Sequence, residues 1–297
     1  MLGEGPEVLS IVVIGRNEAE HLERLGDSVD ALKSVCQFKV ESIYIDSASF
    51  DNSAEIASRR FDRVESLVNS RHLCASAGRY VGTYEAKYPW ILYLDGDMEI
   101  CPDFFAVLHN LESIGSDIVG IIGLYIHRLD NGRSAVQTFR RSAGPASSAM
   151  HFGGAVLLRR DAVLQAGNWD PALYGREEIE LYARLGDGKQ VVNFVSVPMV
   201  NHYSEYYTRR QLIMRLLSPS GGQGKVFWGY GQCVRAAISK GKYVALMRLE
   251  YELYIFWIGI LVALSLWFFI SLFWFILVMF FILMGLSLWS RPGFIVR

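Results

Sequence analysis

The chain has 297 residues, 52% of them apolar, and a formal net charge of −1. With no basic block interleaved with aromatics in its first two hundred positions, it has no field that would draw nucleic acid, which is excluded as a partner. Cys36, Cys74, Cys101 and Cys233 lie far apart, with neither C-x-x-C nor paired histidine spacing, so a zinc site and a disulfide framework are also excluded and reduced thiols are expected.

Met1 to Glu7 is short and polar and lacks the apolar core of a signal peptide, so the following domain is expected on the cytosolic side. Val8 to Ile14 is a β-branched run closed by Gly15, Arg16, Asn17 and Glu18; His21, Leu22, Leu25, Val29 and Leu32 then recur at helical spacing. Gln37 to Ile45 repeats the strand pattern and breaks at Asp46-Ser47-Ala48-Ser49, before a helix holding Ala54, Ile56 and Ala57 that Asp51 or Asn52 can cap. A third strand is predicted around Val64 to Val68, then a helix of small residues from Leu73 to Lys87. The strand Trp90 to Leu94 runs directly into Asp95-Gly96-Asp97. Strands alternating with helices predict a doubly wound, mostly parallel sheet that binds ligands beyond the strand C-termini.

Arg16 to Glu18, Asp46 to Ser49 and Asp95 to Asp97 would all lie at that edge. Side chains at i and i+2 of an extended turn point the same way, so Asp95 and Asp97 can share Mg²⁺ or Mn²⁺, with Gly96 admitting a ligand to the backbone; a solvated acidic turn is the plain alternative. Asp46 can accept from a ribose or base, or can simply close an Asx-turn. No G-x-G-x-x-G or G-x-x-x-x-G-K-[ST] is present, so a nicotinamide cofactor or P-loop has no support.

The run Val12-Val13-Ile14-Gly15-Arg16-Asn17-Glu18, the Asp46-Ser47-Ala48-Ser49 loop, Ala77-Gly78-Arg79 and Asp95-Gly96-Asp97 resemble, in order and spacing, the successive motifs of family 2 glycosyltransferases, which have the GT-A fold. Phe152 to Arg160 and Ala166-Gly167-Asn168-Trp169-Asp170 resemble the acceptor-side strand and helix of that fold, so the likeness spans Val8 to His202. The resemblance implies a nucleotide-sugar site using Arg16, Glu18, Asp46, Arg79 and Asp95, and a Mn²⁺ or Mg²⁺ site using Asp95, Asp97 and His202. A histidine in the loop after a strand from Val191 to Val200 can instead be structural. The resemblance also puts the catalytic base in Gly175-Arg176-Glu177-Glu178, where the family's usual Glu-Asp or Asp-Asp is Glu-Glu. Glu178 is the expected base, with Glu177 and Glu180 as the other candidates; an acidic first turn that complements the helix dipole is the bland reading.

From Tyr203 to Glu252 the chain carries eight basic residues and three acidic ones among apolar side chains. This pattern predicts amphipathic helices on an anionic membrane surface, or helices packed back on the domain with a solvated basic face. Gly221 to Gly224 reads as a mobile loop beside the site, and Gln211 to Arg215 lacks the Gln-x-x-Arg-Trp signature of processive members. Ile255 to Trp289 has no charged residue; as one helix it would be about 50 Å long against a hydrocarbon core of about 30 Å. Aromatics near Tyr254, Ser271 and Trp289 suggest a hairpin turning near Ser271, with Arg248, Arg291 and Arg297 keeping both ends cytosolic; one tilted span plus an interfacial piece is the rival.

The expected architecture is therefore a cytosolic GT-A domain over 1–205, basic juxtamembrane helices over 206–252 and a membrane segment over 253–290. The expected activity is inverting, metal-dependent transfer from a nucleoside diphosphate sugar, UDP being the family's commonest nucleotide, to a polyprenyl phosphate or lipid-linked oligosaccharide. A homo-oligomer is left open. The rival function is a catalytically idle subunit that binds a nucleotide or glycan and anchors a partner at the membrane.

Overall fold

The computed structural model describes residues 7–68, 73–140, 149, 151–185, 192–204, 211, 222–249 and 251–289. It divides into two units, Met1–Leu249 and Glu250–Arg297.

In the first unit, β1 (Glu7–Gly15), β2 (Lys39–Asp46), β3 (Arg63–Ser66) and β4 (Trp90–Asp95) form a parallel sheet in the order β3-β2-β1-β4, as the alternating pattern predicts. Leu9, Ile11, Val12 and Val13 of β1 and Ile91 to Leu94 of β4 are fully buried, because a central parallel strand is covered on both faces. Helix α1 (Ala19–Val35) turns Leu22, Leu25, Val29 and Leu32 inward, α2 is Ser53–Arg60, and α3 (Ala75–Glu85) lies across β1 and β2. The small residues of α3 have a steric cause: a Cβ on Gly78 would press on the Ile14 side chain at 3.0 Å, and one on Gly82 would collide with Val12.

Beyond β4 the sheet becomes mixed. Strands β5 (Met98–Ile100), β6 (Gly120–Leu129), β7 (Ser134–Gln137), β8 (Val156–Arg159) and β9 (Val192–Ser204) continue it as β4-β8-β6-β9-β5, with β7 on β6. Among the described residues β6 and β9 pair in parallel here, while β4–β8, β6–β8, β6–β7 and β5–β9 are antiparallel. His202 therefore lies within β9 and not in a loop: Met98 pairs with His202, so β5 ties that residue to the backbone just after Asp97.

Short helix α4 (Phe105–Leu108) follows β5, α5 (Arg160–Gln165) follows β8, and α6 is Glu177–Leu185. Helices α7 (Gly222–Ser239) and α8 (Tyr243–Leu249) pack on α6, where Cys233, Ala237 and Leu246 join Ile179 in a small second core. Packing back on the domain is thus seen for this part of the basic region, while most of 206–221 lies outside the described residues. Gly222 to Gly224 open α7 and are not a loop.

The second unit holds α9 (Tyr251–Trp289), 39 residues long and continuous through Ser271. The expected hairpin turn is absent: nothing near Ser271 breaks the backbone ladder, since Ser271 is flanked by Ile270 and Leu272 without proline or glycine. Within α9, Ile258–Met284 has a mean hydropathy of 2.7 and no buried residue, so it is long and apolar enough to cross a membrane.

Candidate active site

The C-terminal ends of the parallel strands are in register. Gly15 lies opposite Asp46, and Ile14 opposite Asp95, which brings the three predicted polar loops to one edge. A cleft of about 280 Å³ opens there, lined by Gly15, Arg16, Glu18, Ser47 and the Asp95–Asp97 turn, with Cys74 of the α3 N-terminus opposite.

The loop after β1 is laced to the loop after β2. Asn17, in the left-handed region at φ 60°, donates its N–H to Ser49 Oγ at 2.8 Å and accepts from the Phe50 N–H on Oδ1 at 3.0 Å. The Glu18 N–H donates to Ser53 Oγ at 2.8 Å; Asn52 holds the N-cap position of α2 without a side-chain cap bond, and Asp51 before it accepts the N–H groups of Ser53 and Ala19. The Asx-turn expected of Asp46 is seen, Oδ2 accepting the Ser49 N–H at 2.9 Å, while Oδ1 is buried without a partner. A buried acceptor left unpaired is costly, and beside a cleft it suits a ligand N–H or O–H.

Carboxylates crowd the Asp95–Asp97 turn. Burial, then Asp97 and Asp95, push the Glu18 carboxyl up to about 8. Partial burial likewise holds Asp95 above the usual carboxylate range, against the opposing pull of Arg79. His202 Nε2 stands 3.1 Å from Asp97 Oδ2, while Asp97 Oδ1 is buried and unpartnered. Burial lowers the His202 pKa, but Asp97 more than offsets this and leaves it raised. Among the described residues no three acidic, histidine or cysteine side chains are spaced to enclose an ion. The donor set, hard oxygens with one imidazole and an orphaned carboxylate oxygen, nonetheless fits Mg²⁺ or Mn²⁺ with a shell completed by a ligand's oxygens. Gly96 lines the cleft with Glu18 packed against it, so that a Cβ there would meet Glu18 Cγ at 2.7 Å.

Arg79 connects this edge to α6. Its side chain is 1% exposed; Nη2 donates to Asp95 Oδ1 at 2.6 Å and Nη1 to Glu177 Oε1 at 2.9 Å, with Glu178 Oε1 at 3.7 Å and the Trp169 ring 5.1 Å away. It lies behind the cleft lining, enclosed by carboxylates. Burial works against its charge, but Asp95, Glu178 and Glu177 together raise its pKa and keep it a cation. One guanidinium cannot neutralise three carboxylates, and burial followed by Glu178 pushes Glu177, the most enclosed, up to about 7. Glu178 keeps 22% of its side chain accessible against 7% for Glu177, so of the adjacent pair it is the more open to solvent. Glu180 is 1% exposed and held by Arg184 at 2.6 Å and Lys240 at 3.1 Å, a structural cluster.

Two contributors carry no sequence signal of their own. Any Cβ on Gly154 would collide with Asp95 Oδ2, so a side chain there is incompatible with the carboxylate held by Arg79. His127 of β6 sits beside His202 of β9, an adjacency created by pairing residues 75 apart.

Comparison with known proteins bears on the fold and the family. A 114-residue stretch is 31% identical to a cholesterol galactosyltransferase of Borreliella burgdorferi, covering 37% of this chain and 31% of that protein, so the match spans about a third of the relative's length. The fold is similar to S. aureus TarS residues 1–349 in complex with UDP-GlcNAc (TM-score 0.54, 14% identity, 78% of this chain and 73% of that one). It is also similar to GalNAc-T7 with UDP, GalNAc and Mn²⁺ (TM-score 0.55, 16% identity, 78% and 48%). These likenesses establish the GT-A fold. The model of glycosyl transferase family 2 matches residues 10–162, more than half of the chain, and with the strand-edge site just described this protein belongs to that family.

Proposed function

We propose that the chain is an inverting, divalent-metal-dependent glycosyltransferase that moves a sugar from a UDP-sugar to a membrane-lipid-linked acceptor. The observation that carries this reading is the buried Arg79 bridge, which joins Asp95 at the cleft to Glu177 and Glu178 at the start of α6. It spans the distance between a donor site and an acceptor base. The UDP and UDP-GlcNAc complexes of the similar structures support the donor, and the Mn²⁺ of GalNAc-T7 supports the metal. The sterol named for the B. burgdorferi relative and the apolar helix of the second unit support a lipid acceptor and a membrane location.

In this reading Arg16, Glu18 and Asp46 bind the nucleotide, the orphaned Asp46 Oδ1 accepting from base or ribose. Asp95, Asp97 and His202 hold the cation, which when bound neutralises charge building on the departing diphosphate. Arg79 fixes Asp95 and Glu177 in place. Glu178 takes the proton of an attacking acceptor hydroxyl, giving inversion in a single displacement. Toward an acceptor that is itself a phosphate, Glu178 has no proton to remove and only orients it.

Turnover of UDP-sugars by the full chain in vesicles, with and without Mn²⁺, tests the proposal when polyprenyl phosphate, lipid-linked oligosaccharides and soluble glycosides are compared. The expected result is Mn²⁺-dependent transfer to the lipid acceptors with inverted anomeric configuration; equal turnover on soluble acceptors removes the lipid specificity. Asp97→Ala should abolish turnover in a folded protein, whereas an idle anchoring subunit would keep its biological effect.

A further inference from the structure

Four groups stand in a line at the edge of the site. Asp97 Oδ2 faces His202 Nε2 at 3.1 Å, His202 Nδ1 faces His127 Nδ1 at 3.0 Å, and His127 Nε2 faces Gln137 Oε1 at 2.8 Å. The two rings are 5.0 Å apart at 67°, so neither stacks on the other and the nitrogens meet edge to edge. The line is built by the sheet: β6 and β9 place His127 beside His202, and β7 brings Gln137 to the outer side of β6.

Counting protons limits how the line can work. Both ends are acceptors, a carboxylate and an amide oxygen, and three gaps separate the four groups. Two neutral imidazoles carry two N–H groups between them, so they can fill two gaps and no more. If His202 Nδ1–H donates to His127 Nδ1 and His127 Nε2–H donates to Gln137 Oε1, the middle gap and the Gln137 gap are satisfied. The remaining gap, between His202 Nε2 and Asp97, then presents a nitrogen lone pair and a carboxylate oxygen side by side, the arrangement a cation needs.

We propose that His127 and Gln137 are positioning residues that hold His202 in the Nδ1–H tautomer, leaving its Nε2 lone pair facing Asp97 as a metal ligand. The inference rests on the divalent-cation reading above and adds to it two residues that touch neither metal nor substrate. Gln137 is needed because it orients the far nitrogen of His127; without an acceptor there, the His127 proton can sit on Nδ1 and turn toward His202. Ser204 Oγ, 3.2 Å from His202 Nδ1, is a second possible acceptor, so a clean test removes it too.

The test is a Mn²⁺ titration of the full chain in detergent with saturating UDP, followed by water-proton relaxation. His127→Phe combined with Ser204→Ala should weaken Mn²⁺ binding roughly tenfold or more, the usual cost of losing the partner of a metal-bound imidazole. Gln137→Glu, a stronger acceptor, should retain wild-type affinity, while Gln137→Lys, which reverses the donor direction, should weaken it. Nitrogen spectra of ¹⁵N-histidine-labelled protein with Mg²⁺ and UDP should show the His202 proton on Nδ1 in wild type and a mixed tautomer in the His127→Phe/Ser204→Ala chain. Unchanged Mn²⁺ affinity in that double variant, while Asp97→Ala and His202→Ala lose binding, overturns the proposal and leaves the metal site standing. No Mn²⁺ binding by the wild-type chain overturns both.

Discussion

A methyl group at residue 154 is expected to disable the site. Gly154→Ala places a Cβ on the Asp95 carboxylate, which cannot swing away because the enclosed Arg79 holds its other oxygen at 2.6 Å. The relief must come from backbone movement, a cost of about 1–3 kcal/mol for overpacking, readable as a lower melting temperature together with lost turnover. The adjacent glutamates should separate by experiment. Glu178→Gln removes the accessible carboxylate and is expected to lower kcat by about two to four orders of magnitude while the fold stays intact. Glu177→Gln acts on stability and its pH dependence. Because burial and Glu178 raise the Glu177 pKa to about 7, its contribution is fully present below the unfolded value near 4.3 and is lost as pH rises through about 7. Wild-type stability should therefore fall between about pH 5 and pH 8, and Glu177→Gln should flatten that fall; melting curves across the range decide it. The family resemblance singled out Glu178, but which of the two adjacent carboxylates is enclosed against Arg79 depends on a contact 98 residues away in the chain.

Helix α6 presents these groups only because the loop before it is clasped by the following helices. Gln232 of α7 accepts the Tyr174 N–H and donates to the Ala172 carbonyl at 3.0 and 3.1 Å, and Arg176 holds a left-handed backbone at φ 64° directly before Glu177. A non-glycine residue persists there only if its surroundings enforce it. Lys240 closes the clasp on Asp170 at 2.8 Å and on Glu180. Burial raises the Asp170 carboxyl, but Lys240 and the Ala172 N–H outweigh it and hold it below its usual range. That stabilisation is present above the unfolded value near 3.9 and disappears as pH falls through the lower folded one. Lys240→Ala should thus lower the melting temperature by a few degrees at pH 7 and by progressively less below about pH 4. The strand ends of the parallel half were legible because the C-terminal parts of β1, β2 and β4, Ile11 to Ile14, Ile43 to Ile45 and Trp90 to Leu94, are apolar runs that stop at polar loops. The mixed half was not, because the β5–β9 and β6–β9 pairings join segments about a hundred and about seventy residues apart and leave no local pattern. His127 is a lone histidine in a strand, and only the ring across from it gives it meaning.

At the scale of the whole molecule, the first unit is a domain with a buried core and the second is an apolar helix. Ile258–Met284 is 27 residues, about 40 Å at 1.5 Å per residue, which exceeds a hydrocarbon core of about 30 Å and calls for tilt or local thickening. Aromatic placement suggested a hairpin because Trp267 and Trp274 flank Ser271, as interface residues do; backbone continuity through Ser271 argues instead for one span. The two arrangements put Ser271 at opposite depths. In a single span it lies near the bilayer centre, where an arginine costs about 2.5–3.5 kcal/mol on insertion scales; in a hairpin it lies at the far interface, where arginine is tolerated. Ser271→Arg is therefore expected to shift the chain from the carbonate-resistant membrane fraction toward the extractable one, with Ser287→Arg near the helix end as the tolerated control. A chain that keeps Ser271→Arg firmly in the membrane would restore the hairpin. Side-specific labelling of a cysteine placed at Ser287 gives a second reading, since one span puts that position across the bilayer from Arg248 whereas a hairpin returns it to the same side.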